Sequence, residues 1–595
     1  MKTWWAFARF LLCCMTGLIC CKPLQAGDLQ QEYVTTTPVL ADGVLYIAST
    51  TFPDHRGHLR AIDLLDIFPV TLWDAADRMP QAGSGAAPGD LTSGDPPSSI
   101  NPGNLYRSLF TNLVGEQLPF NADSLPRLQP AMAVDSLIEG ELLLHAVRGR
   151  RGGSTELPAG SSEDPRRLWS ISRSSPVLVG RSPVNNEASQ RDRVLYAGGE
   201  DGMLHAFFVS PWDSASNDFL KDESEAGAEL WAYLPGSFLP HLKGQPLDDD
   251  PGALAVHLDG PPVVRELFLD LDGDGLCRWH TLLVATGTLV QSRRSNLLVL
   301  DITDPYQPEF LWETLLPGNE VGRTRGVTID SCGSVVEPRD CIYLTADSVG
   351  GDGSAAIHAV ALTLGSGQLL WQFTAPYPIS GAVAEATPAV PALMDLNGDQ
   401  RSDTLVFGDL VGRLWALDLV DGGAHGDAPV YVVPGAAAEP IGAGVAIHDR
   451  LAIFGSGGVE GANANIPYAL YAVEIFPDGG RLRWQYPLLP GERVWETPQV
   501  DAEGTIVFAT ARNYNSLVFS GETTTHGRLV ALNEAGEEKV SRNLNAATIG
   551  RVVTAPGVVV AVSLTGEVTQ LGTASRLRGP VGGQGSVKVL SWRQR

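Results

Sequence analysis

Cysteine is scarce, with seven residues in 595, and four of them (Cys13, Cys14, Cys20 and Cys21) fall at the very start of the chain. A fold stapled throughout by disulfides is therefore excluded. Positive charge is also short, since 42 Lys and Arg face 68 Asp and Glu for a formal charge of −26. That surplus repels polyanions, which removes nucleic acid and anionic membrane as principal ligands and favours divalent cations or basic surfaces. Beyond the N-terminus no apolar run approaches the ~20 residues of a membrane span. The 11 histidines include no zinc-binding pair at helical spacing, and His55 with His58 reads as a surface turn without a third ligand. No G-x-S-x-G elbow, phosphate loop or dinucleotide fingerprint stands between a strand and a helix, so hydrolase and nucleotide chemistry lack a motif.

What is present begins with an export signal. Lys2 and Arg9 precede an apolar stretch from Phe10 to Cys21, and Ala26 precedes Gly27. This pattern predicts a signal peptide over residues 1–26, cleaved to leave a mature chain outside the cytoplasm with no integral span. Acylation at Cys20 or Cys21 is the alternative, poorly served by the residues before them. Cys277, Cys332 and Cys341 then remain. The last two bracket a short loop in an oxidising compartment and are expected to pair, leaving Cys277 as a buried or lightly reactive thiol.

The 65 Gly and 41 Pro mark a turn-rich, strand-based chain. One phrase recurs: an apolar run, a Gly-containing turn, then a second apolar run. It appears in GHLRAIDL from Gly57, VLYAGGEDGMLHAFF from Val194, HTLLVATG with NLLVLDI from His280, CIYLTAD with AAIHAVAL from Cys341, and TLVFGDLVGRLWALDL from Thr404. Weaker copies start at Leu451, Thr505 and Gly557. Pro-containing lead-ins precede several copies (at Thr36, Ser174, Gly260, Ala386 and Glu496), and strands carrying Trp73, Trp231, Trp312, Trp371 and Trp484 follow. A four-stranded unit repeated with insertions is the grammar of an all-β propeller blade, and the tryptophans are expected to pack between blades. Eight units are visible, but the last could complete the first, so seven blades are favoured and eight is the alternative. Residues 27–595 form this propeller, with insertions around 80–170. Within them Leu125 to Gly149 has helical spacing, with Leu137, Ile138, Leu142 and His145 on one face.

The candidate site is a carboxylate loop. Asp395, Asn397, Asp399 and Asp403 place side-chain oxygens at positions 1, 3, 5 and 9, and Arg401 offers its carbonyl. Calcium takes six to eight oxygens at about 2.3–2.6 Å, and alternating ligands round a Gly-assisted turn suit it. Position 12 is Val406, so the loop is a strand-hairpin site and not an EF-hand. Asp270, Asp272 and Asp274 begin a second such run, but Arg278 stands at its ninth position and could neutralise it without metal. Glu200, Asp201 and Asp409 sit in probable hairpin links, where a catalytic role has no support.

Taken together, GHLRAIDL with LWDAADRM, HAVRGRRGG with ISRSSPVLVG, GEDGMLHAFF with LWAYLPG, VLDITDPYQPEFLWE, and MDLNGDQRSDTLVFGDLVGRLWALDL resemble the C-terminal propeller of the PilY1 family of type IV pilus biogenesis and tip-associated adhesins. The resemblance spans about residues 30–420. It implies a non-enzymatic, calcium-binding propeller at the periplasm, cell surface or pilus, working with minor pilin components in pilus assembly, retraction control or adhesion, with a host or surface ligand as a further partner. The ligands it implies are Asp395, Asn397, Asp399, the Arg401 carbonyl and Asp403. The von Willebrand A-like region of long members, with its DxSxS motif, does not precede the propeller, and Arg148 to Arg150 is not an RGD, so a short, propeller-only member is expected. The rival readings are a PQQ-dependent quinoprotein dehydrogenase, for which no Glu, Asn and Asp constellation is evident, and a general periplasmic assembly scaffold.

Overall fold

Eight sheets of four or more strands, antiparallel apart from one added pair, follow one another along the described residues in the computed structural model. It describes 31–572 and 588–591 except 53–54, 65–69, 80–106, 149–167, 183, 185–186, 221–223, 245–254, 272–273, 317–321, 333–339, 350–353, 379–387, 436–438, 460–461, 463–464, 502, 515–524 and 556–557. The expected signal, and Cys20 and Cys21 within it, therefore lie outside the described residues. Blade 1 runs from Gln31 to Asp74, and the four main strands of blade 2 lie between Val177 and Leu234. Blade 3 spans Val256–Leu315, blade 4 Val327–Pro378, blade 5 Ala392–Val432, blade 6 Ala446–Pro487, blade 7 Gln499–Leu544 and blade 8 Val553–Ser591. The count is thus eight, not the favoured seven. Blade 1 builds its own innermost edge, with Gln31–Tyr33 and Val39–Ala41 both pairing Val44–Phe52, and so takes no strand from the other end of the chain. Closure is by side chains. Val34, Leu45, Ile47 and Ile62 of blade 1 pack on Val560, Val562 and Val568 of blade 8, and Val34 N–H donates to the Leu564 carbonyl at 2.8 Å.

Middle strands such as Leu204–Ser210 and Thr404–Gly408 are buried at every residue, because each blade is covered by a neighbour on both faces. Their sequences are accordingly almost continuously apolar. The outer strands carry the clamps between blades. Trp231 donates its indole N–H to the Pro305 carbonyl at 2.8 Å, Trp312 to Leu364 at 2.7 Å, Trp371 to Leu419 at 2.9 Å and Trp484 to Glu534 at 2.8 Å. Every acceptor lies in the turn before the outer strand of the next blade. Under the ring sits a left-handed glycine of that same turn: Gly227 below Trp73, Gly367 below Trp312, Gly422 below Trp371 and Gly536 below Trp484. A Cβ at Gly422 would lie 2.6 Å from the Trp371 ring, so the turn needs glycine both for its φ of +74° and for the contact. The five tryptophans singled out by the sequence are thus the blade-to-blade contacts. Between blades 5 and 6, where no tryptophan stands, Gly480 N–H donates directly to the Val430 carbonyl at 2.8 Å.

The segment Arg107–Arg148 widens blade 2. Leu109–Leu113 runs parallel to the outer strand Glu229–Leu234, and Glu116–Pro119 folds back beside it, making six strands. Helix Leu137–Val147 follows, capped by the Ser136 side chain, which accepts from Glu139 N–H. Its expected inward face is corrected: Leu137, Ile138 and Leu142 are 50%, 73% and 37% exposed, whereas Leu143 and Leu144 are buried and Gly140 lies against Leu125 and Val134. The helix is apolar on nearly every side, so periodicity alone could not choose, and close approach at Gly140 decided the face. Nothing is described of the His145 side chain.

Cys332 and Cys341 are bridged, with Cα atoms 5.6 Å apart, across the loop joining the first two strands of blade 4. Cys277 is exposed, not buried, because it follows the acidic turn after Leu269 at the ring surface.

Replacing Trp371 by Ala should cost about 3–5 kcal/mol, the usual loss for a buried aromatic truncation, and Trp371→Phe clearly less. Chemical denaturation of the two variants measures this. A Trp371→Ala protein as stable as the parent would show that the indole clamp does not hold blades 4 and 5 together.

Candidate functional site

The loop Asp395–Asp403 joins the first two strands of blade 5, Ala392–Met394 and Thr404–Gly408. Its sequence folds tightly because its acids cap its own backbone. Asp395 Oδ1 accepts from Gly398 N–H at 2.6 Å and from Asp399 N–H at 3.2 Å, and Asp395 Oδ2 accepts from Gln400 N–H at 2.6 Å. Asn397 Oδ1 accepts from Asp399 N–H at 2.8 Å, and Asp399 Oδ1 from Arg401 N–H at 2.9 Å. Asp403 closes the turn, accepting Leu396 N–H and Asn397 N–H, both at 3.0 Å. The buried Thr404 hydroxyl donates to Asp403 Oδ1 at 2.7 Å and meets His425 Nε2 at 3.1 Å. Gly398 and Gln400 supply the left-handed residues that reverse the chain.

All five sequence-predicted positions therefore lie in one turn, with Asp395 and Asp403 half-buried and the others exposed, and their donor chemistry, three carboxylates with an amide and a carbonyl, suits a hard cation. Each carboxylate oxygen bonded to one N–H keeps a second lone pair. The arrangement is nonetheless that of a self-capped turn. Among the described residues no three His, Cys, Asp or Glu are grouped so that they could hold a metal ion.

In the second acidic run Arg278 pairs with one of the acids, Asp274. Arg278 Nη2 lies 2.7 Å from Asp274 Oδ2, and that hydrogen bond holds the Asp274 carboxyl below its ordinary range. Asp270 accepts from Gly275 N–H at 2.9 Å, and Asp272 lies outside the described residues. The hairpin acids are engaged as well. Asp409 is fully buried and accepts from Val411 N–H at 3.0 Å, Arg413 N–H at 2.9 Å, the Arg413 guanidinium and the Trp415 indole at 3.0 Å. Glu200 accepts from Ser172 and pairs with His55 at 3.4 Å.

A charged network inside blade 2 escaped the sequence reading. His205, wholly buried, meets Glu229 Oε1 through Nδ1 at 2.8 Å and Asp201 Oδ1 through Nε2 at 3.3 Å. Arg107 forks onto the same Glu229 at 2.6 and 2.7 Å. Burial alone would push His205 down, but the Asp201 charge and the hydrogen bonds to Asp201 and Glu229 outweigh it and raise His205 to about 9. Burial opposes ionisation of Glu229 too, yet Arg107 and His205 lower it to about 2. The signal was a polar residue inside an apolar strand, and it recurs. His58 with Asp74, Asn296 with Glu313, His358 with Thr374 and Arg528 with Ser541 likewise join the third and fourth strands of their blades.

No protein-family model matches the chain. It is 27% identical over 281 residues to the "Type IV pilus biogenesis factor PilY1" of Pseudomonas aeruginosa, covering 44% of this chain and 22% of that one. To the "Type IV pilus biogenesis factor PilY1 homolog" of Xylella fastidiosa it is 26% identical over 242 residues, covering 40% and 16%. The chain thus matches about a fifth of the length of these curated relatives. Among solved structures it is similar to a quinohemoprotein alcohol dehydrogenase from Comamonas testosteroni (TM-score 0.44, 12% identity, 91% and 71% of the two chains) and to a europium-containing methanol dehydrogenase (0.42, 11%, 92% and 83%). BamB from Moraxella catarrhalis gives a TM-score of 0.31 at 12% identity, covering 67% and 98%. The PilY1 homologues and the eight-bladed ring together fit a PilY1 C-terminal β-propeller domain, the family whose resemblance the strand phrases carry. Among the described residues no helix is long and apolar enough to cross a membrane.

Because His205 is raised above its unfolded value near 6.5, its contribution is complete below that pH and is lost as pH rises through about 9. Glu229 is depressed, so its contribution is present above about 4.5 and is lost as pH falls toward 2. The network should stabilise blade 2 most between roughly pH 4.5 and 6.5. NMR titration should find the His205 imidazole still protonated at pH 7.5. Glu229→Gln, which leaves two buried cations facing a neutral amide, should cost about 3–5 kcal/mol. A His205 that titrates near 6.5 would refute the assignment.

Proposed function

We propose that this propeller is a non-enzymatic, calcium-binding component of type IV pilus biogenesis, acting at the periplasm, cell surface or pilus with minor pilin components. The observation that carries the reading is sequence similarity to proteins named as type IV pilus biogenesis factors across 44% of the chain.

Asp395, Asn397, Asp399, the Arg401 carbonyl and Asp403 are the calcium ligands in this reading. The side-chain oxygens of Asp395, Asn397, Asp399 and Asp403 also cap the loop's own amides. A cation would draw the carboxylates together, favouring whichever loop conformer gathers them, and only this differential affinity can bias the surface presented to pilus partners. Thr404 and His425 link Asp403 to the turn after the third strand of blade 5, so a change at the loop has a path into the blade.

Calorimetric titration should detect calcium binding to the parent protein, weakened about tenfold or more in Asp399→Ala, the loss of one charged ligand. The melting temperature of the metal-free variant should be nearly unchanged, since Asp399 is exposed. Antibody detection on sheared pili against periplasmic extract tests the pilus assignment separately. Equal calcium affinity in parent and variant would eliminate the loop as the site, and absence from both pili and the pilus assembly fractions would favour a general periplasmic scaffold.

A further inference from the structure

The segments that lead into the first strand of each blade meet around the ring axis and are tied to one another. Arg551 N–H donates to Thr37 Oγ1 at 3.0 Å, Thr37 N–H to Ser175 Oγ at 2.9 Å, and Ser174 Oγ to the Gly260 carbonyl at 3.0 Å. Gly326 then packs between Pro261 and Val390. On the other side Arg551 Nη2 reaches Thr497 Oγ1 at 3.4 Å, and Thr497 lies against Gly444. These contacts make a belt of lead-in loops on one face of the ring, and one side chain crosses it. Arg325, leading into blade 4, donates from Nη1 to the Gly442 carbonyl at 3.1 Å in the lead-in of blade 6.

That carbonyl is the guanidinium's one hydrogen-bond partner among the described residues, and no described carboxylate forms an ion pair with it. Around it, Glu496 and Tyr514 favour its charge, and Arg173 and Arg323 repel it. Arg323 is committed to Asp347 at 3.2 Å. Arg173 has a side chain 66% exposed and only a loose contact with Asp259 at 3.6 Å. Arginine does not discharge itself by losing a proton, so this half-buried guanidinium carries a desolvation cost that the Glu496 charge offsets only through space, with no hydrogen-bonded carboxylate among the described residues. In a chain with 68 acids to 42 bases, a carboxylate partner would have been the easiest residue to supply.

We propose that the axial mouth binds an oxyanion group, a carboxylate or a phosphate, with Arg325 as the fork that grips it and Arg173 as the second, exposed cation. The planar guanidinium, whose other nitrogens have no hydrogen-bond partner among the described residues, matches the two oxygens of such a group. The Glu496 charge, which acts on Arg325, sets a limit on how much negative charge enters.

Isothermal titration of the whole chain with citrate, inorganic phosphate and a hexaglutamate peptide, at matched ionic strength, tests this. The three arms separate a small polycarboxylate, a free phosphate and an acidic peptide segment as the source of the anion. At least one probe should bind the parent protein, and both Arg325→Met and Arg173→Gln should weaken it about tenfold or more, the equivalent of one lost charge-assisted contact. Without any probe, Arg325→Met should melt at the same temperature as the parent or higher, since an uncompensated charge is removed. No binding by any probe to the parent overturns the proposal, as does equal binding by parent and variants. If Arg325→Met melts lower, Arg173→Gln, exposed and remote from the fold's core, decides between a structural strut and an anion site.

Discussion

A ring of sheets needs something that fixes each blade against the next, because no backbone ladder crosses between them. At five of the junctions that part is a tryptophan indole, seated in four of them on a left-handed glycine. The tryptophan of one outer strand covers the turn of the following blade, and in four cases its N–H caps a carbonyl of that turn. The two contacts occur together at Trp312, Trp371 and Trp484. A side chain on the glycine would occupy the space of the ring, and a smaller aromatic would leave the turn carbonyl without its donor. The remaining architecture follows from this spacing. The third strands are buried on both faces, so they are apolar, and the polar residues placed within them must find partners on the fourth strand.

Much of this could be read from the residues. The tryptophan phrases, the proline lead-ins and the cysteine pair each name a local geometry, and local geometry is what sequence patterns encode. The blade number was harder because it depends on whether the two ends of the chain share one sheet. That is a matter of long-range pairing between short strands such as Val39–Ala41 and Val553–Ala555. The helix at Leu137 misled for a related reason. With apolar residues around most of its circumference, its inner face was set by Gly140 meeting Leu125 and Val134, which lie outside the helix. The positions of the aspartate loop were legible, but the hydrogen bonds that each acid makes to the turn's own amides were not. The Arg107, His205 and Glu229 network joins residues up to 122 positions apart, beyond the reach of any motif.

The two faces of the ring differ in character. Loops joining the first and second strands carry the Asp270 run in blade 3, the Cys332–Cys341 bridge in blade 4 and the Asp395 turn in blade 5, three acidic or cross-linked features on consecutive blades. The opposite face is formed by the lead-in belt, where arginines gather around the axis. A chain whose overall charge is strongly negative thus holds one of its basic neighbourhoods at the centre of symmetry, where eight loops can shape it.

The seam between blades 8 and 1 differs from the other seven junctions. Elsewhere a peptide link continues from one blade into the next, whereas here the described residues meet through apolar side chains and through single hydrogen bonds such as Val34 N–H on the Leu564 carbonyl and Arg551 N–H on Thr37 Oγ1. Mechanically the molecule is a bracelet with a clasp. Tension applied along the chain would spread first at this gap, and a load borne by the ring would be felt there before any sheet began to unravel.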